Sequence, residues 1–362
     1  MTPRDGAADT PAASDSSAAP PGATYPAIGI CGYSGAGKTT LIEALLPRLT
    51  ERGWRIAVVK QDAHGLTLDR EGKDTDRLFR AGADVVIRDP EQVFIRRHDP
   101  ESAALDRVIA TLGAHYDAIL VEGHKTTPLP YKVWLGRTDD ETCPPEATGV
   151  RHILRPTDDR PALMLAWMEE WMAEAWRSTP VYAGILIGGA SRRMGRPKHL
   201  IEVDGRTWLE RTADALRPLV ERIVILGAGE IPASLRGLTA LPDVEEGGGP
   251  LRGMRSALRW APRAGWLFAP CDTPDLTAEA ITWLLSHRAP GVRAILPALA
   301  DSAFPEPLPG WYDFRMAPML ERARRPMDLA HGPGVLHPQI PSALAAAWRN
   351  VNTPADVSGG NV

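Results

Sequence analysis

Short apolar runs alternate with amphipathic stretches from residue 27 onward. Ala27–Cys31 reads as a strand, and Leu41, Leu45 and Leu49 then recur at helical spacing towards Gly53. Pro47 lies inside that helical pattern and predicts a kink or an early end, because proline lacks an N–H and crowds the preceding turn. Arg55–Lys60 predicts a buried strand, and Asp74–Ala81 a helix stopped by Gly82. Asp84–Arg88 and Gln92–Arg97 predict paired strands around the Asp89-Pro90 turn. Ser102–Leu112 reads as a helix, and Ala118–Val121 as a near-continuous apolar strand closed by Glu122.

Arg160–Arg177 carries Leu163, Leu165, Trp167, Met168, Trp171, Met172 and Trp176 at near-helical spacing. Such a stripe docks a partner or faces a core, and aromatic stripes at this period usually face a core. Ser178-Thr179-Pro180 ends the helix and predicts a domain boundary, dividing the chain into 25–178 and 179–362. The rhythm then restarts. Val181–Ile187, Arg222–Leu226, Gly265–Ala269 and Val292–Leu296 read as strands. Trp208–Leu219, Pro250–Trp260 and Thr277–His287 read as helices. Strands alternating with helices of this length predict an α/β fold with mostly parallel sheets. The remaining C-terminal stretch is proline-rich and resists assignment.

A length of 362 residues accommodates two such domains, each with its own core. Hydrophobic content of 44% and charged content of 24% are those of a soluble globular protein. The net charge of −4 argues against a nucleic-acid binder, which usually shows a basic domain. Cys31, Cys143 and Cys271 stand alone with no CxxC, so neither a disulfide framework nor a cysteine zinc site is expected. That usage fits a reducing cytoplasm. No apolar run approaches the ~18–20 residues of a membrane span. Residues 1–24 have no basic n-region or apolar h-region, so a disordered tail is expected there and not a secretory signal.

Two glycine-rich loops carry the chemistry. The first, Gly32-Tyr33-Ser34-Gly35-Ala36-Gly37-Lys38-Thr39, has the G-x-x-x-x-G-K-[ST] spacing of a phosphate loop. Its glycines let successive N–H groups face phosphate, Lys38 reaches the β/γ oxygens, and the Thr39 hydroxyl is a Mg²⁺ ligand. Gly32, Ser34, Gly35, Gly37, Lys38, Thr39 and Thr40 are its candidate nucleotide contacts. A second acid is expected at a neighbouring strand end. Glu122 and Asp62 are the metal candidates, although an acid there also serves as a helix cap.

The second loop runs Gly188-Gly189-Ala190-Ser191-Arg192-Arg193-Met194-Gly195-Arg196-Pro197-Lys198. Paired glycines admit the backbone to a base and its triphosphate, and Arg192, Arg193 and Lys198 supply charge where phosphate charge develops. Pro242-Asp243 precedes a further glycine turn, Gly247-Gly248-Gly249-Pro250, at a helix start. Ala269-Pro270-Cys271-Asp272-Thr273-Pro274 places an acid suited to Mg²⁺ at a strand end.

Further residues carry a family resemblance. Val59-Lys60-Gln61-Asp62-Ala63-His64-Gly65, Gly72-Lys73-Asp74-Thr75, Val121-Glu122-Gly123-His124-Lys125 and Pro130-Tyr131-Lys132-Val133 form an ordered pattern. With the first loop it resembles MobB, the GTP-binding adaptor family of molybdopterin-guanine dinucleotide biosynthesis. The resemblance implies GTP binding with weak hydrolysis, and leaves His64 and His124 as binding candidates. The second half resembles MobA, the molybdenum cofactor guanylyltransferase family. The match runs through Leu186-Ile187-Gly188-Gly189, Arg193-Met194-Gly195, Pro197-Lys198, Gly249-Pro250-Leu251, Cys271-Asp272-Thr273-Pro274 and Asn350-Val351-Asn352-Thr353-Pro354.

That resemblance implies two Rossmann-like three-layer domains, an N-terminal P-loop NTPase-type domain and a C-terminal nucleotidyltransferase domain. It implies transfer of GMP from MgGTP to Mo-molybdopterin, with Lys198, Arg193 and Asp272 catalytic and Asp272 on the metal. Leu186, Gly188, Gly189, Ser191, Gly195, Lys198, Asp243, Gly249 and Pro250 would hold GTP, with Asn350 and Asn352 on the pterin side. Ile187 departs from the family's usual Ala, and Pro307-Leu308-Pro309-Gly310-Trp311-Tyr312 stands where a Pro-Leu-x-x-Trp/Tyr segment is expected.

Implied partners are molybdopterin-loading enzymes and acceptor molybdoenzymes, with no nucleic acid and no membrane; a homo-oligomer is compatible. The attacking phosphate is already ionised, so cations, N–H groups and one metal acid suffice without a Ser-His pair. Two alternatives stay open. One is a molybdopterin cytidylyltransferase or other nucleotidyltransferase, against which Gly188-Gly189 favours guanine by resemblance to the guanylyltransferases. The other is a non-catalytic GTP-dependent cofactor chaperone.

Overall fold

The computed structural model describes residues 26–61, 71–99, 101, 104–188, 197–300 and 302–351. The tail expected over residues 1–24 lies outside them. The described chain forms two compact units that divide between Thr179 and Pro180, with Arg288–Arg293 grouped with the first.

In the first unit, β1 (Ala27–Gly32), α1 (Lys38–Glu51), β2 (Ile56–Lys60), α2 (Asp74–Arg80), β3 (Val85–Arg88) and β4 (Val93–Arg96) come first. They are followed by α3 (Leu105–Gly113), β5 (Ala118–Glu122), β6 (Tyr131–Leu135), β7 (His152–Leu154) and α4 (Arg160–Arg177). Five strands make a wholly parallel sheet in the order β2-β5-β1-β6-β7. β5 is buried along its whole length, as a central strand covered on both faces must be. β2 departs from the buried strand expected of it: among the described residues it pairs only with β5, and Val58 is 43% exposed. An edge position, which hydrophobicity alone does not reveal, accounts for the difference. β3 and β4 form the expected antiparallel pair, and Asp89 accepts the Glu91 and Gln92 amides in the connecting turn.

Helix α1 does not end at Pro47. Pro47 sits on its exposed side with Glu43, whose carbonyl loses its helical partner there and can face water. Helix α4 turns Met164, Met168, Trp171, Met172 and Trp176 inward, with Trp171 stacked on Tyr131 at 4.8 Å between centroids. It shares one apolar cluster with Leu41, Ile42, Leu45 and Leu49 of α1, so its stripe is core.

The second unit begins with β8 (Val181–Leu186), β9 (Glu202–Val203), β10 (Arg206–Thr207), α5 (Trp208–Leu216), β11 (Arg222–Leu226), β12 (Thr239–Leu241) and α6 (Pro250–Trp260). It continues through β13 (Gly265–Pro270), α7 (Ala278–Leu285), β14 (Ala294–Ile295), β15 (Gly310–Tyr312), α8 (Ala317–Arg322) and β16 (Val335–Leu336). Its main sheet has the order β12-β11-β8-β13-β15-β14-β16. β12, β11, β8 and β13 are parallel, and β15 runs antiparallel between β13 and β14. The strand expected over Val292–Leu296 shrinks to Ala294–Ile295, because the Val292 amide is taken by Ala289 in a turn. No helix among the described residues is long and apolar enough to cross a membrane.

The inward stripe of α4 makes a direct prediction. Met168→Ala, at a fully buried site, lowers the stability of the first unit by about 2–5 kcal/mol in urea unfolding. Leu163→Ala, at a site 39% exposed, changes it by under about 0.5 kcal/mol.

Candidate active site

The first loop leaves the buried strand β1 and enters α1. A Cβ on Gly32 would lie 2.7 Å from the Leu135 carbonyl oxygen, at φ +152°, so only glycine lets the loop leave so close to β6. Ser34 and Gly35 are exposed at the loop tip, Gly37 precedes the first turn of α1, and Thr40 is exposed on it. Lys38 curls back, its Nζ donating to the carbonyls of Gly32 (3.0 Å) and Tyr33 (2.9 Å). Thr39 Oγ1 donates to Glu122 Oε1 at 2.9 Å, and Lys60 Nζ lies 3.9 Å from the same oxygen. Parallel pairing of β1 with β5 sets Ile30 opposite Glu122, so the loop and the acid emerge at one sheet end. Asp62 and His64 lie outside the described residues.

Two cations that the sequence reading gave no role fix this region. Arg160, at the start of α4, donates to the carbonyls of Ala36 (2.7 Å) and Gly136. Lys132 is fully buried on β6 and donates to the carbonyls of His124 (3.3 Å), Lys125 (3.0 Å) and Thr127 (2.6 Å). In sequence Lys132 is a charge inside the apolar run Tyr-Lys-Val-Trp-Leu and part of the quoted Pro130–Val133 motif, but neither announces these carbonyls; Arg160 has no signal. His124 takes a left-handed φ of 55°, and its Nδ1 lies 3.3 Å from Thr127 Oγ1. Burial, with the Lys132 charge second, holds its imidazole below the ordinary histidine range.

In the second unit the ends of β8, β11, β12 and β13 converge. Leu186 closes β8 and is half-buried, and its carbonyl accepts the Cys271 amide (3.2 Å). Gly188 is exposed beyond it. Gly189, Ser191, Arg193 and Gly195 lie outside the described residues. Lys198 opens a short 3₁₀ turn, and its Nζ pairs with Asp272 Oδ2 at 2.8 Å, both side chains being largely buried. Burial pushes the neighbouring Cys271 thiol up to about 12, so it stays protonated.

Asp243 is exposed after β12, with its Oδ1 close to Gly253 of α6. Helix α6 pins the chain between the end of β12 and Gly249 through three side chains. Arg252 donates to Val244 O (2.6 Å), Arg255 to Glu246 O (2.9 Å) and Ser256 to Pro242 O (2.8 Å). Gly249 caps that helix, and Pro250 is its first residue. Gly227, also unnoticed in sequence, closes the floor. At φ +111° an added Cβ would meet the Ile187 carbonyl oxygen at 2.2 Å.

The C-terminal segment joins the site by its backbone. The Val351 amide donates to the Asp272 carbonyl at 2.9 Å, and its side chain packs with Ile201 and Trp208. Asn350 is exposed immediately before it; Asn352 lies outside the described residues. His199, beside Lys198, is buried and donates from Nε2 to the Glu230 carbonyl at 3.0 Å. Burial holds its pKa below the usual histidine value.

Comparison with known proteins follows the same division. The sequence model described as molybdopterin guanine dinucleotide synthesis protein B matches residues 27–151, and that of the MobA-like NTP transferase domain matches 183–332. A molybdopterin-guanine dinucleotide biosynthesis adapter protein of Haemophilus influenzae is 40% identical over 116 residues, covering 32% of this chain and 65% of its own length. A probable molybdenum cofactor guanylyltransferase of Deinococcus radiodurans is 33% identical over 184 residues, 49% of this chain and 93% of the relative. A molybdenum cofactor biosynthesis bifunctional protein of Synechocystis is 32% identical over 139 residues, 37% of this chain and 39% of the relative. The chain thus spans just under two thirds of the adapter protein and about two fifths of the bifunctional one.

The depressed pKa of His199 sets a pH dependence. The unfolded chain binds a proton near pH 6.5 that the folded site refuses, so stability is present above that value and falls as pH drops through it. Urea midpoints between pH 7 and 5 fall less steeply for His199→Gln than for the wild type. Equal slopes contradict the buried neutral imidazole.

Proposed function

Since the chain belongs to the molybdenum cofactor guanylyltransferase family and carries a MobB domain ahead of its MobA-like domain, we propose that it transfers GMP from GTP to the terminal phosphate of Mo-molybdopterin. The products are molybdopterin guanine dinucleotide and pyrophosphate. The observation that carries this reading is the Lys198–Asp272 pair at the end of β13, with the C-terminal segment bonded to the same aspartate.

In this reading residues 179–362 are the transferase and 25–178 a GTP-binding accessory domain with weak hydrolysis. Leu186, Gly188, Gly189, Ser191, Gly195, Asp243, Gly249 and Pro250 hold GTP, and Lys198 leaves Asp272 for the phosphates. Arg193 adds charge at the reacting phosphate. Asn350 and Asn352 face the acceptor. The acceptor phosphate needs no general base, so orientation and charge neutralisation are the protein's contribution.

The donors suit magnesium: a strand-end carboxylate at Asp272, and in the first unit a hydroxyl and a carboxylate at Thr39 and Glu122. Among the described residues no three His, Cys, Asp or Glu side chains converge on one point. Mg²⁺ usually completes its shell with substrate phosphates. When bound it offsets charge on the phosphates. The reading places the protein in the cytoplasm, between the enzymes that load molybdopterin and the acceptor molybdoenzymes.

Asp272→Ala is expected to lower dinucleotide formation at least about 100-fold with an unchanged thermal transition. Chromatography of product from GTP, Mg²⁺ and Mo-molybdopterin measures it, and wild-type yield in the variant contradicts the site. Replacing GTP by CTP in the wild-type reaction is expected to abolish product; efficient CTP use contradicts the guanine assignment.

A further inference from the structure

The loop between β14 and β15 carries side chains that no role above uses. β14 and β13 both run antiparallel to β15, so their C-terminal ends open at the same end of the sheet. There Pro305 bridges Ala298, and the Glu306 amide donates to the Pro297 carbonyl at 2.6 Å. Tyr312 Oη donates to Pro307 O (2.7 Å) and Trp348 Nε1 to Pro309 O (3.0 Å). The segment from Trp348 to Val351 therefore holds this loop at one end and Asp272 at the other. Residues 305–309 are thereby tied to the site.

Phe304 and Glu306 are the immediate neighbours of the bridged Pro305, Phe304 in the turn that leads into it. Phe304 is 67% exposed, the most exposed large apolar side chain among the described residues. Its turn is pinned by Ser302, whose hydroxyl donates to the Phe304 carbonyl at 2.6 Å. Glu306 is half-buried, and among the described residues its carboxyl makes no hydrogen bond or ion pair. Burial alone pushes that carboxyl above the ordinary glutamate range. An exposed aromatic beside an unused, partly desolvated acceptor matches a flat heterocycle with an edge of N–H donors.

We propose that Phe304 and Glu306 form the wall that reads the pterin of the acceptor. Phe304 covers a ring face, and the Glu306 carboxylate accepts from the amino group and ring N–H of the aminopyrimidinone edge. Guanine carries the same edge, and position decides between them. The loops assigned to GTP follow β8 and β12, on one side of β13, whereas Phe304 and Glu306 lie on the β15–β14 side. Asp272 stands between the two groups. This inference rests on the transferase reading.

The test is steady-state transfer by the full chain with GTP, Mg²⁺ and Mo-molybdopterin. Glu306→Gln and Phe304→Leu are each expected to raise KM for Mo-molybdopterin roughly 10- to 100-fold, leaving kcat and KM for GTP near wild type. An unchanged KM for Mo-molybdopterin in both variants overturns the proposal, and so does an increase confined to GTP. Binding of 6-hydroxymethylpterin, followed by its fluorescence, needs no turnover. The wild type is expected to prefer it to the corresponding lumazine, which lacks the amino group, and Glu306→Gln to lose that preference. A wild type that binds pterin selectively but transfers nothing refutes the transferase reading and leaves the pterin wall standing. Equal binding of pterin and lumazine by the wild type refutes the wall.

Discussion

Parallel pairing of β8 with β13 is the constraint on which the candidate site of the second unit depends. Six residues pair in register, from Val181 opposite Gly265 to Leu186 opposite Pro270. Parallel neighbours end at the same edge, so the loop after Leu186 and the acid after Pro270 must share one crevice. Lys198 and Asp272, separated by 74 positions, come to 2.8 Å by that route. The first unit uses the same arrangement, with β1 and β5 setting the phosphate loop beside Glu122.

The two sites differ in what their lysines hold. Lys38 rests on two carbonyls of its own loop, whereas Lys198 rests on the carboxylate that would take the metal. In the proposed reading, a phosphate arriving at the first site displaces neutral acceptors, and at the second it separates an ion pair, freeing an acid and a cation together. Around each site the loops are fixed by side-chain donors on backbone carbonyls: Arg160 and Lys132 in one unit, Arg252, Arg255 and Ser256 in the other. Such bonds make the surrounding backbone rigid while leaving the exposed glycines free to meet a ligand.

Much of this was legible in the sequence because it is local. Strand, glycine loop and helix follow one another at both motifs, and apolar period marks β5, β13, α4 and α6. What stayed hidden depends on partners far along the chain. The edge position of β2 follows from sheet order, and Pro47 is tolerated because its side of α1 faces water. Lys132, Arg160 and Arg255 act on carbonyls, which every residue has, so no residue type announces the partner. β15 and β16 carry too few residues for a period, β14 is shorter than the run Val292–Leu296 that announced it, and the Trp348 and Val351 bonds join distant segments. The terminal asparagine motif could be quoted from sequence; its attachment to Asp272 through Val351 could not.

In the proposed reading, bond breaking belongs to the second unit and nucleotide binding at the first only assists. Single-turnover conversion of GTP labelled at the α-phosphate, with Mo-molybdopterin in excess, separates the two loops directly. Lys38→Ala is predicted to form labelled dinucleotide and release pyrophosphate, while Lys198→Ala forms none. Loss of product in Lys38→Ala, with product retained in Lys198→Ala, would contradict the account.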